Sequence, residues 1–191
     1  MLVVHHPNQA LHDPPRVFRT GRLIEQPDRA ERYRIFLEVA RQQGHEIVEA
    51  PLGGLGPILE VHDEHYVAFL ESVHRRWSMN KDYGPEAIAN VHPTHRMHRK
   101  PTELLGELGW YSNSTSCPIT EGTWPAAHAS AQAAIHAADL VAGADRPVYA
   151  LCRPPGHHAY ADMMSGACFL NNSAIAAQRL ARRFAKVAIL D

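Results

Sequence analysis

Two adjacent histidines, His157 and His158, follow a Pro-Pro-Gly corner in the stretch RPPGHHAY. The two prolines fix backbone angles and remove N–H donors, and Gly156 permits a tight turn or a close backbone approach, so this corner is rigid. An imidazole whose Nδ1–H is held by a carboxylate presents Nε2 as a base of fixed tautomer. The motif therefore favours acid–base chemistry. A pair of surface imidazoles is the alternative, because His5-His6 repeats the pattern in a chain with fourteen histidines.

Elements around the corner predict that it lies at the end of a strand in an α/β domain. Residues 147–152 (PVYALC) are apolar on both faces, which is typical of a central strand in a parallel sheet. Residues 171–184 predict an Asn-capped helix, and residues 186–191 (KVAILD) predict another buried strand that ends in Asp191. Ligands bind at the carboxyl ends of such strands. We therefore expect the His-His corner and Asp191 to face one crevice.

Further upstream, apolar residues at helical spacing predict a helix over residues 26–43 and a second helix that Asp63 caps. A short strand is expected between them at residues 45–50, and an alanine-rich helix at residues 124–143. The intervening residues, about 78–123, show no sustained period, and a loop of that length usually covers a site or contacts a partner. A mobile surface insertion is the equal alternative.

Composition excludes several classes of function. Nineteen basic and twenty acidic residues give a net charge of -1 without a basic stripe, so nucleic acid is not an expected partner. The three cysteines form no close pair, which is typical of a reducing compartment and buried thiols. Neither a signal peptide nor a membrane span is present in the pattern, so we expect a soluble cytoplasmic protein with no membrane partner.

The strings RPPGHHA, GACFLNNSAIAAQRL and VAILD together resemble the arginase-deacetylase fold family. Within it, the chain is most similar to bacterial acetylpolyamine amidohydrolases and then to class II histone deacetylases. The resemblance implies a three-layer α-β-α fold with a mostly parallel sheet, incomplete here. Residues 1–191 would be the N-terminal part of one deacetylase-like domain, with residues 78–123 as its insertion.

Roles follow from the resemblance position by position. His158 matches the family's general base, which takes a proton from a metal-bound water. The same histidine then acts as the acid toward the leaving amine. His157 matches an electrostatic histidine, and Asp191 matches the acid that orients it and helps to bind potassium. The family's catalytic metal, zinc or iron(II), takes its ligands from positions that follow the acid matched by Asp191. The resemblance thus implies that this chain lacks the catalytic zinc ligands.

The family's acyl tunnel is matched by Gly166 and Cys168, with Ala167 at the position of an aromatic wall. A wider tunnel, or one walled from elsewhere, is therefore expected. A cationic substrate favours acids near the entrance, for which the insertion offers Glu103, Glu107 and Glu121.

The resemblance implies a metal-dependent amidohydrolase that removes acetyl groups from acetylated polyamines or similar small cationic amines. The full-length protein is expected to be a homodimer, and this chain alone to be inactive. A class II-type protein lysine deacetylase is one alternative. A truncated non-catalytic homologue is another.

Overall fold

The structure is a computed structural model that describes residues 1–93, 97–143 and 146–191. Its strands are β1 (Leu2–His5), β2 (Arg16–Arg19), β3 (Arg22–Glu25), β4 (Glu46–Glu49) and β5 (Val148–Ala150). Its helices are α1 (Ala30–Gln42), α2 (Gly56–Leu59), α3 (Glu64–Ser78), α4 (Leu104–Trp110), α5 (Thr123–Gly143) and α6 (Asn172–Ala181), with a 3₁₀ turn at Pro7–Leu11. None of the described helices is both long enough and apolar enough to cross a membrane.

A three-stranded parallel sheet of order β4-β1-β5 lies between two helical layers. Successive side chains of a strand point to opposite faces. Val3 of β1 accordingly packs in a cluster with Tyr33 and Leu37 of α1, whereas Val4 packs in a cluster with Ala133 of α5. Helices on both faces of a parallel sheet confirm the predicted α-β-α class.

The predicted helices form where their periodicity placed them. In α1, the four residues that repeat at helical spacing are buried: Ala30, Tyr33, Leu37 and Ala40. The Asp63 carboxylate caps α3 by accepting the backbone N–H groups of His65 and Tyr66, at 2.9 and 3.1 Å. The Asn171 side chain caps α6 in the same way through Ala174 N, at 3.0 Å.

Two expectations about strands are wrong. β5 lies at one edge of the described sheet and Tyr149 is 43% exposed, so this strand is not central there. Residues 186–191 form no strand, and Leu190 is 96% exposed. A strand is stable only with a hydrogen-bonded neighbour, and no described strand lies beside this segment. The apolar sequence of this segment is typical of a buried strand, but the described residues do not bury it.

The insertion at residues 78–123 is more ordered than its sequence pattern suggests. It contains α4, and its Ala87 and Ile119 form an antiparallel bridge. Leu108 and Tyr111 lie in the largest hydrophobic cluster with the aromatic side chains of α3. Part of the insertion therefore belongs to the core, and a surface loop is the wrong description of that part. Residues 94–96 lie outside the described residues.

Candidate active site

Arg153, three residues beyond the end of β5, anchors the His-His corner from beneath. Its side chain is 4% exposed and donates to the main-chain oxygens of Gln9, His12 and Asp28. Its Nε lies 3.3 Å from the Asp28 carboxylate, and its backbone N–H donates to Gln9 Oε1 at 2.9 Å. Arginine suits this position because its planar guanidinium presents several donors in a fixed geometry.

The other side of the corner rests on α5 and α6. Pro154 O accepts hydrogen bonds from Ser130 Oγ at 2.9 Å and from Asn172 Nδ2 at 3.2 Å. A Cβ on Gly156 would lie only 2.4 Å from Asn172 N, so no larger residue fits without moving the helix. These contacts hold the backbone that leads to the two histidines.

The two imidazoles lie side by side and reach solvent. Their ring centroids are 4.2 Å apart and the rings are inclined at 72°. His157 Nδ1 lies 3.9 Å from Asp191 Oδ1, with the Asp191 side chain 80% exposed. This distance exceeds that of a hydrogen bond but permits an electrostatic interaction. The structure thus brings His157, His158 and Asp191 together at the carboxyl end of β5.

The predicted tunnel residues form a tight turn against His158. A Cβ at Gly166 would lie 2.5 Å from His158 Cδ2, so glycine is required for this close contact. Ser165 and Cys168 exchange two backbone hydrogen bonds, of 3.1 and 2.8 Å, across the turn. They hold Ala167 at a φ of 64°, which side chains rarely adopt. Burial raises the pKa of the Cys168 thiol, so this residue is a packed thiol beside the site.

A cavity of about 400 Å³ begins at this turn. Gly166 and Ala167 line one side of it, residues 17–20 of the β2–β3 hairpin line another, and Ser114, Thr115 and Ser116 line a third. His158 does not itself line the cavity, but its ring packs closely against Gly166, which does. The cavity is large enough for a small ligand.

The three insertion acids do not converge on this cavity. Glu107 is held by Arg76 at 2.5 Å and Lys100 at 2.9 Å. Burial alone would raise the pKa of Glu107, but the hydrogen bonds from these two cations outweigh burial and lower it. Glu103 is exposed at the N-terminus of α4, and Glu121 lines a separate cavity.

Comparison with known proteins identifies the family. The family described as "Histone deacetylase domain" matches residues 23–191. The chain belongs to the histone deacetylase family. It is 45% identical to an acetylpolyamine amidohydrolase of Burkholderia pseudomallei (strain 1710b) over 100% of this chain and 56% of that protein. It is 42% identical to an acetylpolyamine amidohydrolase of Mycoplana ramosa, over 100% of this chain and 57% of the relative.

A solved structure of this family gives the same result. The crystal structure of acetylpolyamine aminohydrolase from Burkholderia pseudomallei superposes with a TM-score of 0.91 and 42% identity. The match covers 96% of this chain and 53% of that one. The chain therefore has the histone deacetylase family fold and spans about half the length of the relatives that it matches.

The described residues do not form a metal site of the kind that the family resemblance implies. No three His, Cys, Asp or Glu side chains converge among residues 1–93, 97–143 and 146–191. A catalytic zinc normally takes three protein ligands. The residues present therefore do not fit zinc by themselves. Proton transfer is the chemistry that His157 and His158 can supply.

Sequence reasoning missed the residues that support this family site. Arg153 is one, although a lone arginine between an apolar strand and a proline pair was a usable signal. His62 is another: its Nε2 accepts Asn171 N–H at 2.8 Å and its Nδ1–H donates to Ala161 O at 3.1 Å. It thereby ties both ends of the loop that follows the histidines. Burial lowers the pKa of His62, which favours this neutral bridging form.

Proposed function

We propose that this chain provides the proton-transfer half of an amidohydrolase site that removes the acetyl group from acetylated small amines. One observation carries the proposal. The exposed His158 imidazole packs against Gly166, which lines a cavity of about 400 Å³, and its corner is held in place by buried Arg153 and the N-terminus of α6. The names of the 42–45% identical relatives support acetylated polyamines as the first substrates to test.

In this proposal, His158 removes a proton from the attacking water and returns it to the leaving amine. Hydrolysis of an amide requires both transfers, and a positioned imidazole performs them near neutral pH. His157 has an electrostatic role in this proposal: the Asp191 carboxylate, 3.9 Å from its Nδ1, offsets part of the positive charge that the imidazole pair carries once His158 has taken the proton.

Zinc or iron(II), potassium, a homodimer and a cytoplasmic location remain predictions of the family resemblance. Because the described residues do not complete a metal site, we expect these 191 residues alone to show little or no turnover. Turnover is expected from a protein that also carries the metal ligands.

The experiment compares the chain alone with a chimera in which residues 1–191 replace the matching part of the Burkholderia pseudomallei relative. Release of acetate is measured with N-acetylputrescine and with an acetyl-lysine peptide. We expect the chimera to prefer N-acetylputrescine. In the chimera, His158→Ala should lower kcat by about 10²- to 10⁴-fold.

His65→Ala is the matched control, because that imidazole is exposed on α3 and lies 4.0 Å from the Glu64 carboxylate. It should leave kcat unchanged. A His158→Ala chimera that keeps its kcat would overturn the role of His158. Equal rates on the two substrates would contradict the preference for acetylpolyamines, and a faster rate on the peptide would favour a protein lysine deacetylase. A folded chimera without turnover would favour a non-catalytic homologue.

A further inference from the structure

The β2–β3 hairpin holds two arginines directly opposite each other, and one of them, Arg19, lines the cavity. The two-residue turn of the hairpin, Thr20-Gly21, has φ angles of 49° and 78°, as in a type I′ turn that matches strand twist. The register places Arg19 opposite Arg22. Thr115 Oγ1 donates to Phe18 O at 3.1 Å and so fixes the hairpin to the opposite wall of the cavity.

These two positive charges have no counter-charge among the described residues. Like charges directly opposite each other destabilise a strand pair. No described carboxylate forms an ion pair with Arg19 or Arg22, whereas Arg16 on the same hairpin lies opposite Glu25. An anion between the two guanidinium groups would remove the repulsion.

The cavity itself carries a positive balance. Arg19 and Asp28 are the charged residues that line it. The Asp28 carboxylate already pairs with Arg153 at 3.3 Å and with Arg32 at 3.2 Å. The negative charge of Asp28 is therefore compensated, and Arg19 gives the cavity a net positive charge. Ser114 Oγ and Ser116 Oγ, on the facing wall, lie 2.5 Å apart, so one hydroxyl donates to the other and one keeps its proton for an anion.

We propose that this cavity binds a carboxylate, and that Arg19 selects acetylated amines that carry a carboxylate beside their ammonium group over purely cationic ones. This inference rests on the proposed function and narrows its substrate class. The amide would lie toward His158, next to Gly166, and the charged end of the substrate toward the hairpin. The insertion acids expected to attract a cation do not line this cavity, whereas a guanidinium does.

Two ligands isolate the contribution of the carboxylate. Nδ-acetylornithine and N-acetylputrescine share the acetamide, the carbon chain and the ammonium, and differ only in the carboxylate. Their dissociation constants with this protein are measured by ligand-observed NMR at neutral pH and low ionic strength. Binding needs no turnover, so the measurement does not depend on metal.

We expect Nδ-acetylornithine to bind about fivefold more tightly, which is the upper value for one exposed ion pair. Added salt should reduce the difference. Arg19→Gln should abolish it, whereas Arg19→Lys should retain part of it. Arg16→Gln, the matched control outside the cavity, should leave it unchanged. Thermal unfolding of each variant verifies that the hairpin substitutions leave the fold intact.

Equal binding of the two ligands, tighter binding of N-acetylputrescine, or no binding of either would overturn this inference. So would an equal effect of Arg16→Gln and Arg19→Gln. Hydrolysis by the chimera distinguishes a failure of this inference from a failure of the proposed function. Hydrolysis without a preference for the carboxylate would contradict this inference alone. Carboxylate-dependent binding without hydrolysis would contradict the proposed function alone.

Discussion

Replacing Arg153 with methionine tests the claim that one buried guanidinium holds the histidine corner in place. Methionine fills a similar volume but donates no hydrogen bond. Its introduction leaves the main-chain oxygens of Gln9, His12 and Asp28 without their donor. It also leaves the Asp28 carboxylate, 17% exposed, with Arg32 as its remaining ion-pair partner.

The expected loss in the free energy of unfolding is about 3 kcal/mol. Removing one partner of a buried ion pair costs about 3 to 5 kcal/mol, and the lower value applies because Asp28 keeps Arg32. With a urea m-value of about 2 kcal/mol per molar, the unfolding midpoint should fall by about 1.5 M. Arg153→Lys should recover only part of this, since a single ammonium cannot reach all the acceptors.

Urea unfolding followed by tryptophan fluorescence measures both values. Arg32→Met is the matched control, because it removes the other partner of Asp28 from a side chain that is 54% exposed. Exposed pairs contribute about 1 kcal/mol or less, so the control midpoint should fall by about 0.5 M at most. An Arg153→Met midpoint equal to that of the control would refute the anchoring role.

Two further predictions concern buried side chains. Burial lowers the pKa of His12 to about 3. The neutral ring therefore contributes fully to stability above the unfolded pKa of about 6.5. Below pH of about 6.5 this contribution is lost, by up to about 1.4 kcal/mol per pH unit. His12→Gln should reduce the pH dependence of the free energy of unfolding between about pH 6.5 and about 3, measured by urea unfolding. An unchanged dependence would refute the lowered pKa of His12. The Tyr66 hydroxyl donates to Phe169 O at 2.7 Å; Tyr66→Phe should cost about 1 to 2 kcal/mol, and the exposed control Tyr160→Phe close to zero, in the same assay.

Local patterns predicted the helices well because the signals lie within the helices themselves. The Asp63 cap and the apolar residues at helical spacing both lie within or next to α3, and both were confirmed. The strand expected at residues 186–191 failed for the opposite reason. An apolar run indicates that the segment is suited to burial. Whether it forms a strand depends on a neighbouring strand, which the run itself does not specify.

The site shows the same division. The corner motif and its glycine were evident from adjacent residues. The contact of Arg153 with Gln9 joins positions 144 residues apart, and its contact with Asp28 joins positions 125 apart. Nothing in a single sequence specifies such pairs. The positive charge of the cavity was also missed, because the β2–β3 hairpin, residues 114–116 and Gly166 are far apart in sequence and come together only in the folded chain.

The position of β1 determines the order in which the sheet can form. Leu2 pairs with Glu46 on one side and with Val148 on the other. The second pairing closes the longer loop, at an added entropic cost of about 1 kcal/mol. At about 5 to 20 residues per second, the ribosome needs on the order of 5 to 20 seconds to make the roughly 100 residues between the two partners. Throughout that interval, the strand at the centre of this sheet has one open edge, which is the state most prone to pairing with another nascent chain.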